Sequence, residues 1–114
     1  MSHKSLRTYL RARRREWGLS QDDLADLVGT NGSVISDYER EIHPISARLL
    51  IAAELIFGIS GADLFPALYR QVEEDVCASA AGLYASLEGK DDPQSQKKRK
   101  LISQIPDRVR PIDV

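Results

Sequence analysis

The segment Gln21–Arg40, QDDLADLVGTNGSVISDYER, constrains the fold of this chain more than any other. It carries two short runs of apolar residues at helical spacing, separated by Gly29. Gly29 can take the positive φ that a sharp helix exit requires, and Asn31 can accept from backbone N–H groups as the cap of a second helix. The two predicted apolar faces are Leu24, Ala25, Leu27 and Val28, and then Val34, Ile35 and Tyr38. Two short helices joined by a tight turn containing Gly form a helix-turn-helix, which this segment therefore predicts.

The flanking sequence predicts three more short helices. The first extends from about Lys4 to Trp17, the fourth covers Ala47–Phe57, and a short fifth follows Ser60. The core stripe of the first helix is expected at Leu6, Leu10, Arg13 and Trp17. The expected N-caps are Ser20, Ser46 and Ser60, and the expected stops are Gly18 and Gly58. Five short helices with short connections make a compact all-α domain over residues 1–66.

A long helix is predicted from Pro66 to Glu88, and residues 67–89 are assigned to it as a separate segment of the chain. Its apolar stripe consists of Tyr69, Val72, Val76, Ala80, Leu83 and Leu87. At about 1.5 Å per residue the helix spans roughly 35 Å, which is more than so small a domain can cover. The stripe either folds back over its own domain or, as we favour, forms a dimer contact across a two-fold axis.

Residues 90–114 are interpreted as a linker and a basic tail. Gly89–Gln96 is polar, Lys97–Lys100 is a basic run, and the apolar residues that follow suffice for one or two helical turns before Pro106. One interpretation is a solvated, partly ordered end. The other is a set of extra phosphate contacts, or a helix that docks on a partner subunit.

Charge is unevenly distributed although the net charge is only −1. Residues 1–17 carry six basic and one acidic side chain, residues 94–114 carry six and two, and the middle of the chain is acidic. Such segregation suits an anionic partner held by particular surfaces. Cys77 is the only cysteine, and neither a membrane-spanning run nor a signal peptide is visible, so a reducing cytoplasm is expected.

Residues for catalysis or metal binding are sparse. The two histidines, His3 and His43, have no cysteine or carboxylate cluster at metal-ligand spacing. We find no nucleophile–base pair and no Gly-rich phosphate loop in the sequence. The prediction is therefore a protein that is not an enzyme and needs no metal, cofactor or small-molecule substrate.

The function that these residues still allow is recognition of DNA through its major groove. The second helix of a helix-turn-helix enters the major groove of DNA, and the first spans the backbone. Serine and asparagine can hydrogen-bond base edges, an aspartate can accept from cytosine, and a residue at a helix N-terminus is well placed for a phosphate oxygen. The base-reading candidates are Asn31, Gly32, Ser33, Ser36 and Asp37. The phosphate-contacting candidates are Gln21, Arg40, Ser46 and Arg48.

The sequence resembles the helix-turn-helix regulators of the phage repressor/Cro type, the XRE family. The resemblance rests on the segment Gly18–Gln21, on Leu24-Ala25 and Gly29, on Ile35-Ser36 and on Tyr38–Arg40, and it continues through ELIFG and Asp63-Leu64-Phe65 to cover about residues 5–66. It implies a five-helix fold, dimeric binding to operator DNA, and a phosphate contact by Gln21. It also implies base reading by Gly32, Ser33 and Asp37, and a salt bridge between Arg14 and Glu39.

Three positions depart from the family pattern. Arg13 stands where an apolar residue is usual, Glu41 replaces the usual Gly after the third helix, and the second helix of the motif has Gly32 and Asp37 where longer polar side chains are frequent. The leading hypothesis is a bacterial or phage DNA-binding transcriptional regulator, and more specifically a repressor, that acts as a homodimer. The alternative is a protein-interaction module of the same fold, such as an antitoxin or a partner of another regulator.

Overall fold

The computed structural model describes residues 8–111, and its regular elements there are all helical. They are α1 Leu10–Glu16, α2 Gln21–Val28, α3 Gly32–Glu39, α4 Ala47–Phe57, α5 Gly61–Leu64, α6 Pro66–Ser86, α7 Pro93–Ser103 and a 3₁₀ turn Pro106–Arg108. The all-α prediction is confirmed. The chain divides into two compact units, residues 1–69 and 70–114.

The first unit has one apolar core to which all five short helices contribute. Its fully buried large side chains are Leu10, Leu24, Ile35, Leu49, Leu64 and Phe65. Ala25 and Ala53 are also buried, and their small side chains let neighbouring helices approach closely. The core fixes α2 and α3 relative to the rest of this unit, which is what a rigid helix-turn-helix requires.

The predicted starts of α2, α3, α4 and α5 are confirmed by their caps. The side chains of Ser20, Asn31, Ser46 and Ser60 each accept a hydrogen bond from the backbone N–H three residues later. Gly29 ends α2 at φ 91° and so takes the left-handed conformation expected of it.

Ser20 and Asp23 form a reciprocal capping box at the start of α2. The backbone N–H of Ser20 donates to Asp23 Oδ2 over 2.9 Å, and the backbone N–H of Asp23 donates to Ser20 Oγ over 2.9 Å. Hydrogen bonds from the backbone and hydroxyl of Ser20 hold the pKa of Asp23 below its usual value. A lowered carboxyl pKa stabilises the fold above the usual aspartate pKa, and this contribution is lost as the pH falls through the lowered value.

Helix α1 begins later than predicted, at Leu10. Thr8 and Tyr9 precede it without helical structure, because the backbone N–H of Tyr9 donates to the carbonyl of Leu64 over 2.9 Å. The predicted start at about Lys4, and Leu6 with it, lie outside the described residues.

The expectation that Trp17 and Leu27 lie in the core is wrong. Trp17 is 68% exposed, because α1 has ended at Glu16 and the helical period no longer sets the direction of the next side chain. Leu27 is 58% exposed, because the buried face of α2 is the narrower one formed by Leu24, Ala25 and Val28.

The second unit is built on α6 and α7. Ala80 and Leu87 pack with Ile102 of α7 to form a small core, and Ile105 lies against it. Arg99 Nη1 also donates to the carbonyl of Leu87 over 2.8 Å. The residues on both sides of the predicted division at residue 90 therefore lie in one unit.

The interpretation of Gly89–Gln96 as a linker was wrong for its second half. Pro93–Gln96 form the first turn of α7, which has three turns instead of one or two. Asp92 caps this helix by accepting from the backbone N–H of Ser95 over 3.1 Å, and proline is favoured at the first helical position. In the described residues, no helix combines the length and apolar character that crossing a membrane requires.

We expect Glu41→Gly to stabilise the first unit. Glu41 has φ 63°, a left-handed conformation that costs a residue with a Cβ about 1–2 kcal/mol. Glycine avoids that cost but adds about 0.4–1 kcal/mol of chain entropy in the unfolded state. The free energy of unfolding, measured by urea denaturation, should therefore rise by about 0.5–1 kcal/mol. Glu41→Ala is the matched control, because it removes the charge and keeps the strain. Equal stabilisation by both variants would show that charge, and not backbone conformation, sets the effect.

Candidate nucleic-acid interface

Asn31 and Ser33 form a connected polar pair at the start of α3. Asn31 Oδ1 accepts from the backbone N–H of Val34 over 3.0 Å and from the hydroxyl of Ser33 over 2.8 Å. The oxygen of the Asn31 side chain is therefore engaged as a cap, while its amide N–H groups remain as donors. Ser33 keeps its oxygen lone pairs as acceptors. Both residues are exposed.

Gly32 lies where the first turn of α3 meets the start of α2. A Cβ added to Gly32 would come against Asp22 Oδ1, and 3.4 Å from its Cγ. The nearest backbone atom, Asp22 N, would lie 3.9 Å away, so a side chain here would displace the exposed carboxylate of Asp22 and not the helix itself. Gly32 itself can offer only backbone atoms to a ligand.

Asp37, predicted to read bases, is held between two cationic or polar partners. Arg40 Nη2 lies 3.0 Å from Oδ1, and His43 Nε2 lies 3.2 Å from Oδ2. The ring of His43 also packs edge-on against that of Tyr38, with 6.4 Å between the ring centroids. The contact of His43 with Asp37 has no signal in the sequence, because a loop position six residues away follows no helical period. Ser36, the remaining base-reading candidate, is half-buried.

The four phosphate-contacting candidates have different surroundings. Gln21 Nε2 donates to Glu39 Oε1 over 3.2 Å, and Ser46 Oγ caps α4. Arg48 Nε donates to the carbonyl of Val28 over 2.9 Å, so it caps the end of α2, a role that the sequence analysis did not assign. The side chain of Arg40 is 63% exposed, although it is paired with Asp37.

Arg14 and Glu39 are joined by two hydrogen bonds inside the first unit. Arg14 Nε lies 2.6 Å from Oε2 and Nη2 lies 3.1 Å from Oε1, while Nη1 donates to the carbonyl of Leu19 over 2.8 Å. Their side chains are only 8% and 2% exposed. The hydrogen bond to Glu39 raises the pKa of Arg14, and burial opposes that rise only in part. This pair ties α1 to the end of α3.

The interface therefore has a rigid buried side and a polar exposed side. Its exposed candidates are Asn31, Ser33 and Arg40, with Gly32, Ser36 and Asp37 partly covered. In the part of the chain that the structure describes, no group of three or more histidine, cysteine, aspartate or glutamate residues is arranged to hold a metal ion. What the arrangement offers chemically is hydrogen bonding and charge.

The first unit matches a known protein family. A family model described as Helix-turn-helix matches residues 10–64. The match begins at the first residue of α1 and ends at the last residue of α5, so it spans the five helices of the first unit. Neither a curated protein nor a solved structure matches the chain.

We expect Glu39→Gln to destabilise the first unit strongly. The substitution leaves the guanidinium of Arg14 buried without an anion, and breaking a buried pair in this way costs about 3 kcal/mol or more. Glu16→Gln is the matched control, because Arg13 and Glu16 form an exposed pair at 3.0 Å whose loss costs less than about 1 kcal/mol. Urea denaturation at neutral pH measures both. Equal losses would contradict the structural role of the buried pair.

Proposed function

Because residues 10–64 belong to the phage repressor/Cro type of helix-turn-helix, we propose that this chain is a cytoplasmic transcriptional repressor that binds operator DNA as a homodimer. Helix α3 enters the major groove by its N-terminal half. The observation that carries the proposal is the division of α3 into two sides. Ile35 is fully buried in the core, whereas Asn31, Ser33 and Arg40 are exposed.

Phosphate contacts position the domain on the duplex. Gln21 is the first residue of α2 and Ser46 is the cap of α4, so both lie at helix N-termini, where anions are favoured. Arg40 supplies the exposed cation of α3. Arg48 keeps donors that the carbonyl of Val28 does not use. Such contacts carry affinity but little sequence information.

Base choice rests on short side chains. The amide N–H of Asn31 donates to an acceptor on a base edge, and Ser33 accepts through its free lone pairs. Asp37 accepts from a cytosine amino group when its position between Arg40 and His43 lets one lone pair reach the groove. Gly32 and Ser36 let the helix approach the bases closely. Sequence-dependent DNA shape contributes the remaining specificity.

A second candidate function is a protein-interaction module, such as an antitoxin or a partner of another regulator. Asp37 and Glu41 motivate it, because two carboxylates on or beside a groove-reading helix repel phosphate. Recovery of a stoichiometric protein and no DNA from the native cell would favour it over the operator-binding regulator.

We expect selection from a random DNA pool to recover duplexes with two related half-sites. A symmetric dimer of helix-turn-helix domains reads half-sites about one helical turn, roughly 34 Å, apart. The selected duplex should bind at least about 1,000-fold more tightly than random DNA at physiological salt, measured by fluorescence anisotropy. A selected duplex that bound no better than random DNA would refute specific reading, and a lone half-site would refute the homodimer.

We expect Arg40→Ala to weaken binding to all duplexes and to lower its dependence on salt. Each lost phosphate contact reduces the slope of log K against log salt by about 0.9, hence by about 1.8 for a dimer. Arg13→Ala is the matched control, since Arg13 is likewise an exposed arginine in an ion pair three residues apart, but on α1. An unchanged slope in Arg40→Ala, or equal slopes in both variants, would remove Arg40 from the phosphate contacts.

A further inference from the structure

One face of α6 within residues 70–114 carries apolar side chains that the described residues leave partly uncovered. Val72, Val76 and Leu83 are each about half exposed. Together with Ser79 and Ser86 they recur at spacings of 4, 3, 4 and 3 along the helix, which is the spacing of the seam in paired helices. We call these five residues the α6 seam. It is distinct from the side of α6 that Ile102 covers.

The second unit is poorly supplied with a core of its own. Its buried apolar side chains, among the described residues, are Ala80, Leu87 and Ile102. The first unit has nine such residues in one cluster. A segment of this size needs additional apolar burial to be stable, because small units bury too little surface alone. The α6 seam offers apolar surface for a partner, and Tyr84 and Leu101 of the same unit are also exposed.

The charges of the second unit are segregated along its length. Glu73, Glu74 and Asp75 lie near the start of the seam, and no basic residue follows on α6. Helix α7 has the opposite composition, with the basic run Lys97–Lys100 and no acidic residue.

Two hydrogen bonds place these charges at opposite ends of the unit. Arg99 donates to the carbonyl of Leu87, which puts the basic run beside the C-terminal end of α6. The backbone N–H of Arg110 donates to Glu73 Oε2 over 3.1 Å, so the chain has by then returned to the acidic end. From Glu74 to Leu87 the separation along the helix axis is about 20 Å at 1.5 Å per residue.

Both ends also carry charges of the opposite sign. Residues 70–75 and 107–110, toward the first end, hold four acidic and three basic side chains, whereas residues 88–100, toward the second, hold three acidic and five basic ones. The net charge of the unit therefore changes from −1 at one end to +2 at the other.

We propose that a second copy of this chain docks on the α6 seam in the opposite direction, so that the acidic end of each copy meets the basic run of the other. The proposal rests on the homodimer of the proposed function and specifies its interface. An antiparallel two-fold arrangement makes the favourable charge contact twice, because the same patch is used by both copies. A parallel arrangement would place acid against acid and lysine against lysine, which is unfavourable.

The seam is tested by sedimentation equilibrium of the full chain without DNA. We expect Val76→Ser combined with Leu83→Ser to raise the dimer dissociation constant at least about 30-fold, since four apolar side chains per dimer lose their burial. Both residues are about half exposed, so the fold should persist, which circular dichroism checks. Leu55→Ser on α4 is the matched control, because Leu55 is 80% exposed in the first unit, and it should leave the constant unchanged.

The direction of pairing is tested by charge reversal. Glu74→Lys with Asp75→Lys, and separately Lys97→Glu with Lys98→Glu, should each weaken the dimer at least about 10-fold at low salt, and both effects should shrink at 0.5 M salt. All four substitutions in one chain should restore the dissociation constant to within about threefold, because the opposite charges meet again. Reversals without effect would overturn the antiparallel direction.

Failure of this inference differs from failure of the proposed function. A dimer that persists in Val76→Ser with Leu83→Ser but dissociates in Leu55→Ser would overturn the seam and leave the homodimer standing. A wild-type chain that is monomeric both alone and on its selected duplex would overturn the homodimer and the seam together. A chain that dimerises through the seam and binds no DNA would uphold this inference and refute the regulator.

Discussion

The buried pair of Arg14 and Glu39 is the interaction on which the first unit depends. Two helices far apart in the sequence, α1 and α3, are joined by a carboxylate that also receives a hydrogen bond from Gln21. A buried charge is tolerable only when it is paired and its hydrogen bonds are satisfied, and here both conditions are met. The orientation of α3 is thereby fixed by polar geometry as well as by the burial of Ile35.

The fold could be predicted from the sequence where local chemistry decides it. The caps at Ser20, Asn31, Ser46 and Ser60 and the stop at Gly29 follow from side-chain hydrogen bonding and from glycine's conformational freedom. Tertiary contacts decide the rest, and these have no local signal. The hydrogen bond from the backbone N–H of Tyr9 to Leu64 makes α1 begin later than its sequence suggests. The packing of Ile102 on Leu87 stabilises a helix where a linker and a tail were expected.

The candidate site could be predicted less completely than the fold. Helical period identifies which residues of α3 face away from the core, so Asn31, Ser33 and Arg40 are found on the exposed side. Period cannot identify partners that come from loops or from other helices. For this reason the contact of His43 with Asp37 and the capping of α2 by Arg48 appear only in three dimensions.

The position of Asp37 between Arg40 and His43 has a thermodynamic consequence. An arginine that turns toward a phosphate must leave its carboxylate, and here His43 remains beside Asp37 as a second polar partner. Arg40 and His43 therefore both depend on the same carboxylate, that of Asp37. Their free-energy contributions to complex formation should be non-additive, with a coupling term between positions 37, 40 and 43 that neither single substitution contains.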